Sequence, residues 1–174
     1  MSSSVADTVW AGHRLEWGQH TYVMGIVNVT PDSFSGDGLG ADAKTEDALV
    51  ERAIAQAQRF VNEGATMIDI GGESTRPHAP SVGVELELAR VVPVIKALRT
   101  VLSSEVVISI DTYKAEVAQQ TLEVGADMIN DIWALRHDPL MAEVAQQHHV
   151  PVVLMANMRG YSKREIVSDV LRFL

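Results

Sequence analysis

The chain contains no cysteine, few aromatic residues and fewer basic than acidic side chains. Without cysteine it forms no disulfide bonds, zinc–thiolate sites or cysteine nucleophiles. Its 14 basic residues face 23 acidic ones, which gives a formal net charge of −9. Phosphate backbones and anionic lipids repel a protein of that charge, so we expect neither nucleic acid nor a membrane among its partners.

Long hydrophobic runs are also missing, since a transmembrane helix needs about 18 to 20 consecutive apolar residues. The start, MSSSVADTVW, has no basic segment followed by an apolar run, and we expect no secretory signal. We therefore expect a cytoplasmic protein. With 174 residues, 47% of them hydrophobic, the chain is long enough for a single domain, residues 1–174, with a sizeable core.

Five short apolar runs alternate with segments of helical periodicity. Their near-continuous hydrophobicity is typical of parallel strands covered on both faces, and the alternation predicts an α/β fold built from right-handed βαβ units. The pattern leaves open whether this is a doubly wound sheet or an incomplete barrel. The predicted strands are 21–29, 66–72, 105–112, 127–133 and 150–157, and the helices after the first are 84–102, 113–124, 138–148 and 162–174. The first helix follows Thr45 as N-cap and stops at Gly64.

Each predicted strand carries a polar side chain near its carboxyl end: Asn28, Asp69, Asp111, Asn130 and Asn157. Any one of them is most simply a turn former or a helix cap. Five at the end of a parallel sheet where ligands bind favour a shared pocket. The similar segments GATMID (64–69) and GADMIN (125–130) predict equivalent positions for Asp69 and Asn130.

Longer motifs are more specific. The segments MGIVNVTPDSFSGDG and GATMIDIGGESTRP resemble the two signatures of the dihydropteroate synthase family, and ISIDTYKAEVA, GADMINDIW and VPVVLMANMRG resemble its next three strand regions. The resemblance implies a (β/α)₈ TIM barrel, incomplete here, with about the first five βα units present. It also implies a reaction of folate biosynthesis: 6-hydroxymethyl-7,8-dihydropterin pyrophosphate condenses with p-aminobenzoate and releases pyrophosphate.

The resemblance assigns roles to residues. It implies Mg²⁺ beside Asn28, diphosphate contacts from Thr75 and Arg76, and pterin contacts from Asp111 and Asn130. An amide oxygen is a suitable ligand for Mg²⁺, and arginine grips oxyanions in bidentate fashion. Asn28, Arg76 and Asp111 are the catalytic candidates. Further substrate contacts are expected from two groups of residues, Ile132 and Met155 beside the ring and Asp32, Ser33, Phe34 and Pro77 around p-aminobenzoate.

Period-two alternation places Ile132 on the same strand face as Asn130. Met155 taken alone is more simply a core residue. For Asp69 two interpretations stay open: it contacts the ligand, or it holds the ESTRP loop through backbone N–H groups.

The sequence departs from the family pattern at His78, where glycine is usual, and at Ala156, where histidine is common. The three last strands of the family barrel, with their ligand-binding residues, have no counterpart here. We therefore expect a fragment that is inactive alone and, for a full-length enzyme, a homodimer. Two alternatives remain: a non-catalytic pterin-binding remnant and a methyltransferase domain that binds methyltetrahydrofolate.

Overall fold

A computed structural model describes residues 6–30, 46–74, 81–157 and 165–174. A short antiparallel hairpin comes first, followed by alternating strands and helices. The hairpin strands are β1 (Thr8–Trp10) and β2 (His13–Leu15). The remaining elements are β3 (Met24–Asn28), α1 (Glu46–Asn62), β4 (Met67–Gly71), α2 (Val84–Val101), β5 (Val107–Asp111), α3 (Ala115–Glu123), β6 (Met128–Asp131), α4 (Met141–His148), β7 (Val152–Leu154) and α5 (Ile166–Phe173).

The parallel sheet has the strand order β3-β4-β5-β6-β7, which is also the order along the chain. A doubly wound sheet reverses its strand order at a switch point. Here each strand pairs with the next one, as in a barrel, and the open choice between the two folds is decided in favour of part of a TIM barrel.

One face of the sheet packs against the helices. Fully buried aliphatic residues of the strands, such as Ile68, Ile70, Ile108 and Ile129, share a core with Val91 and Leu98 of α2 and with residues of the other helices. Successive helices α1 to α4 lie side by side. Two glycines end helices in the left-handed region, Gly64 at φ +103° and Gly125 at φ +117°, as the repeated segments predict.

The opposite face is the inner face of the barrel, and the hairpin covers its lower part. Trp10 and Leu15 pack on Met67, Val107 and Met128 in a second core. The indole Nε1–H of Trp10 donates to the carbonyl oxygen of Asp127 at 2.8 Å. Higher up, the inner face is open, and Ile26 is 56% exposed.

The structure shortens several predicted elements. The first strand begins at Met24 and the fifth covers only Val152–Leu154. Helices α3 and α4 begin at Ala115 and Met141, two and three residues later than predicted. Of the helices in the described ranges, none is long and apolar enough to cross a bilayer.

Candidate functional site

A row of four residues crosses the upper end of the inner face. In the strand register Asn28 pairs with Gly71, Gly71 with Asp111, and Asp111 with Asn130. The row lies at the carboxyl end of the strands, because Asn28, Gly71 and Asp111 are the last residues of β3, β4 and β5. The predicted convergence of these side chains is therefore confirmed for Asn28, Asp111 and Asn130.

Gly71 leaves a gap in this row. A Cβ atom built on Gly71 would lie 3.2 Å from Oδ1 of Asn28 and 3.6 Å from Oδ2 of Asp111. Since the strand pleat sends these groups to one side, the amide oxygen of Asn28 and the Asp111 carboxylate flank a space that no side chain fills. Both flanking atoms are hydrogen-bond acceptors.

Asp69 lies one layer below the row and is 2% exposed. Its Oδ2 accepts a hydrogen bond from Nδ2 of Asn130 at 3.0 Å. The register places Asp69 opposite Ser109 of the intervening strand, and the small serine leaves room for the bond to pass from β4 to β6. Among the described residues this hydrogen bond holds the Asp69 carboxylate in place. It supports neither a ligand contact nor a role in holding the ESTRP loop.

Two buried carboxylates share this region. Burial first, and then the charge of Asp69, raise the pKa of Asp111 from 3.8 to about 7. Burial also raises the pKa of Asp69, and the side chains of Ser109 and Asn130 work against that shift. Asp111 Oδ1 is buried and has no hydrogen-bond partner in the part of the chain that the structure describes. A ligand with N–H donors or positive charge would supply one.

A buried ion-pair network that no sequence pattern predicts adjoins the site. Lys114 Nζ donates to Glu73 Oε2 at 2.5 Å and to Glu87 Oε2, while Tyr113 donates to Glu73 Oε1 at 2.8 Å. Burial alone would raise the pKa of Glu73, but Lys114 and Tyr113 together hold it below its usual value. Glu73 Oε2 also accepts the backbone N–H of Val82 at 3.2 Å, so it joins residues on both sides of the segment 75–80.

The signal for this network in the sequence was weak. Glu73 and Lys114 are 41 residues apart, and Lys114 and Glu87 are 27 apart, so no local spacing links them. Only the position of Lys114, three residues after the strand-end Asp111, pointed toward the site.

The expected strand 127–133 is shorter in the structure, while the role of Ile132 in the pocket wall stays a prediction. Strand β6 ends at Asp131, and Ile132 lies in the following turn, so alternation along the strand does not place it beside Asn130. The turn forms because Asp131 accepts the backbone N–H groups of Trp133 at 2.8 Å and Leu135 at 2.7 Å. Met155 follows β7 and is 42% exposed, so it is not a core residue of this chain.

The remaining predicted site residues, and the departure at His78, lie outside the described residues. These site residues are Asp32, Ser33, Phe34, Thr75, Arg76 and Pro77. Ala156 is half-buried beyond the end of β7.

Comparison with known proteins gives the family. Residues 24–174 match the model of a family described as pterin binding enzymes. The chain belongs to this pterin-binding family. The match begins at the first residue of β3 and contains all of the strand-end residues described above.

Relatives that match this pterin-binding chain are dihydropteroate synthases. The enzyme of Bacillus subtilis is 46% identical over 157 residues, which cover 90% of this chain and 52% of the relative. A structure of the Xanthomonas albilineans enzyme with 4-aminobenzoic acid is 45% identical, with a TM-score of 0.78, and is covered to 56%. A Yersinia pestis enzyme in a sulfonamide drug complex is 38% identical, with a TM-score of 0.77, and is covered to 60%.

Each of these matches covers most of this chain but a much smaller share of the relative. The same matches take in 94% and 97% of this chain for the Xanthomonas and Yersinia structures. The chain spans about half the length of the curated relatives it matches.

Proposed function

We propose that this chain forms the first part of a dihydropteroate synthase site. The reaction joins p-aminobenzoate to 6-hydroxymethyl-7,8-dihydropterin pyrophosphate and releases pyrophosphate. The row Asn28–Gly71–Asp111–Asn130 at the carboxyl ends of adjacent strands carries the proposal, together with membership of the pterin-binding family. A flat heterocycle with a dense edge of donors and acceptors needs fixed carboxylate and amide groups of this kind.

Asp111 and Asn130 are the proposed ring contacts. The bond to Asp69 fixes the amide of Asn130, so its carbonyl oxygen remains to accept a hydrogen bond from the ring. Asp111 has a buried oxygen that no described residue bonds, and its carboxylate is close enough to the gap to accept ring N–H groups. As pyrophosphate leaves, positive charge develops on the pterin, and an ionised Asp111 stabilises that charge.

The proposed pyrophosphate end contains Asn28, Thr75 and Arg76. Among the described residues no three histidine, aspartate or glutamate side chains are grouped to hold a metal ion. A Mg²⁺ ion that keeps several waters and phosphate oxygens needs only one or two protein oxygens. Asn28 Oδ1, an amide oxygen on the same gap as the Asp111 carboxylate, fits such an ion. When bound, Mg²⁺ would neutralise charge on the leaving group.

The proposed p-aminobenzoate pocket uses Asp32, Ser33, Phe34 and Pro77, with Ile132 and Met155 toward the pterin. Exclusion of water is important there, because a pterin cation open to solvent would be hydrolysed. Sulfonamides, which share the aniline group, would compete for this pocket. The Yersinia pestis relative in a sulfonamide drug complex supports that part of the proposal.

A homodimeric full-length enzyme in the cytoplasm belongs to the same proposal and rests on the resemblance alone. For the 174-residue chain by itself we expect weak binding and no turnover. Its inner face is open at Ile26 and Val153, and the chain spans about half the length of the curated relatives it matches.

Isothermal titration of the purified chain with 6-hydroxymethyl-7,8-dihydropterin pyrophosphate tests the proposal. We expect heat of binding that increases when Mg²⁺ is present and decreases in an Asp111→Asn variant. Dihydropteroate formation at a rate comparable to a full-length synthase would contradict the expected inactivity. Titration with methyltetrahydrofolate separates the methyltransferase alternative, and absence of binding to any pterin would favour a remnant without ligand.

A further inference from the structure

Three glycines lie in or directly after the first two barrel strands: Gly25, Gly71 and Gly72. None of them has a φ angle in the left-handed region. A side chain is therefore compatible with the backbone at each position, and a strand interior favours larger residues than glycine. The reason for glycine at these three positions must therefore lie in the atoms that a side chain would contact.

Gly25 and Gly72 pack against helices. A Cβ atom on Gly25 would lie 2.5 Å from Cδ2 of Phe60 on α1. One on Gly72 would lie 2.7 Å from Cγ1 of Val91 and 3.0 Å from Cγ of Glu87, both on α2. These distances are too short for any real contact, so the two glycines allow helices to approach the sheet.

Gly71 has different neighbours. The nearest atoms to a Cβ there are Asn28 Oδ1 at 3.2 Å and atoms of the Asp111 side chain at 3.6 and 3.8 Å. No helix atom is among them. The Asn28 side chain is exposed and has room to move by a few tenths of an ångström. The fold can accommodate a methyl group at position 71, but the space between Asn28 and Asp111 would then be filled.

We propose that Gly71 is a specificity-determining residue, whose missing side chain admits the donor-bearing edge of a planar heterocycle between Asn28 and Asp111. The inference rests on the proposed function and names a further residue for it. The groups around the space are acceptors: the Asn28 amide oxygen, the Asp111 carboxylate and, one layer below, the Asp69 carboxylate. Such surroundings select an occupant with N–H donors or a cation, and disfavour a bare carboxylate or a phosphate without its Mg²⁺.

Three alanine variants of the 174-residue chain test the role of Gly71. Gly71→Ala fills the proposed space, Gly72→Ala places a methyl against α2, and Gly83→Ala is the neutral control, since nothing lies within 4 Å of a Cβ there. Each variant is titrated calorimetrically with 6-hydroxymethyl-7,8-dihydropterin pyrophosphate and melted thermally. The side-chain amide resonances of Asn28 and Asn130 are followed by NMR.

For Gly71→Ala we expect a melting temperature near that of the parent chain, a shifted Asn28 amide resonance and binding weaker by about tenfold or more. For Gly72→Ala we expect a clear loss of thermal stability, and for Gly83→Ala, at the N-cap of α2, unchanged binding and at most a small loss of stability. Parent-like binding by folded Gly71→Ala would overturn the role of Gly71 alone. Destabilisation equal to that of Gly72→Ala would make Gly71 a packing residue. Absence of binding by the parent chain would overturn the proposed function and the ligand named here.

Discussion

Asn130 donates a hydrogen bond from Nδ2 to Oδ2 of Asp69 at 3.0 Å, across the strand that separates them. The donor is on β6, the acceptor on β4, and Ser109 of β5 lies in the same layer as Asp69. A buried carboxylate without a donor is costly. The amide that we assign to the ligand therefore also stabilises the carboxylate beneath it.

Replacement of Asn130 by alanine should lower the free energy of unfolding by about 1–3 kcal/mol, since the buried Asp69 then loses the amide donor of Asn130. The pKa of Asp69 should rise further in this variant. Urea unfolding at neutral pH measures the first effect. Gln119→Ala is a matched control, because Gln119 also donates an amide hydrogen bond, to Glu123, but on an exposed helix surface. Equal losses in both variants would contradict the importance of the buried bond.

The strand-end residues could be predicted because the apolar runs of the sequence stop where polar side chains begin. Continuous apolar runs predicted the strands, and Asn28 and Asp111 are the last residues of β3 and β5. The strand was predicted too long at Ile132 because Asp131 caps a tight turn with its own carboxylate. That local bond competes with strand extension and is not visible in hydrophobic alternation.

Stability of the chain should decrease as the pH rises toward neutrality, because Asp111 has a pKa of about 7 in the folded protein against its usual 3.8. Between these values the folded state holds a proton that the unfolded state has lost, so folding is favoured below the window and weakened above it. Asp69 shifts in the same direction.

Asp111→Asn removes the titrating carboxyl group and should flatten the pH dependence of the free energy of unfolding. At pH 8 we expect this variant to be more stable than the parent chain by up to about 4 kcal/mol. Free energies of unfolding in urea between pH 5 and 8 measure it. In the control Glu116→Gln, which changes an exposed carboxylate of α3, the slope should stay as in the parent chain. A steep slope that survives in Asp111→Asn would assign the pH dependence to other groups.

The hairpin at the base of the barrel escaped prediction. Its strands have three residues each, too few for a periodic pattern, and its turn is Ala11–Gly12. The sequence indicates this hairpin only through Gly12, whose φ of +88° is one that glycine favours in a turn. What makes the hairpin stable is tertiary: the packing of Trp10 on Met67, Val107 and Met128.

Trp10→Phe should destabilise the chain by about 1–3 kcal/mol, since it removes both the hydrogen bond to the carbonyl of Asp127 and part of the buried ring. Trp17→Phe is the control. Trp17 also donates from Nε1, to Thr8, but it is 41% exposed whereas Trp10 is 6% exposed. We expect a loss below about 1 kcal/mol for the control in chemical unfolding. Similar losses for the two tryptophans would mean that the hairpin does not close the barrel floor.

Lys114→Met should be the most damaging of these substitutions, with an expected loss of about 3–5 kcal/mol of unfolding free energy. Glu87 is 1% exposed and would be left buried without the ammonium that it contacts. Glu73 would keep its bonds from Tyr113 and Val82. Lys96→Met, on the exposed side of α2, should change stability by no more than about 0.5 kcal/mol.

A second substitution separates charge from packing. In Lys114→Met/Glu87→Leu the buried carboxylate of Glu87 is removed together with its cation, while Glu73 keeps its bonds from Tyr113 and Val82. An apolar pair of similar volume can replace a buried ion pair at little cost. Urea unfolding of the double variant should therefore recover a large part of the loss seen in Lys114→Met. If the double variant is as unstable as the single one, Lys114 stabilises the fold through its aliphatic contacts and not by pairing with the charge of Glu87.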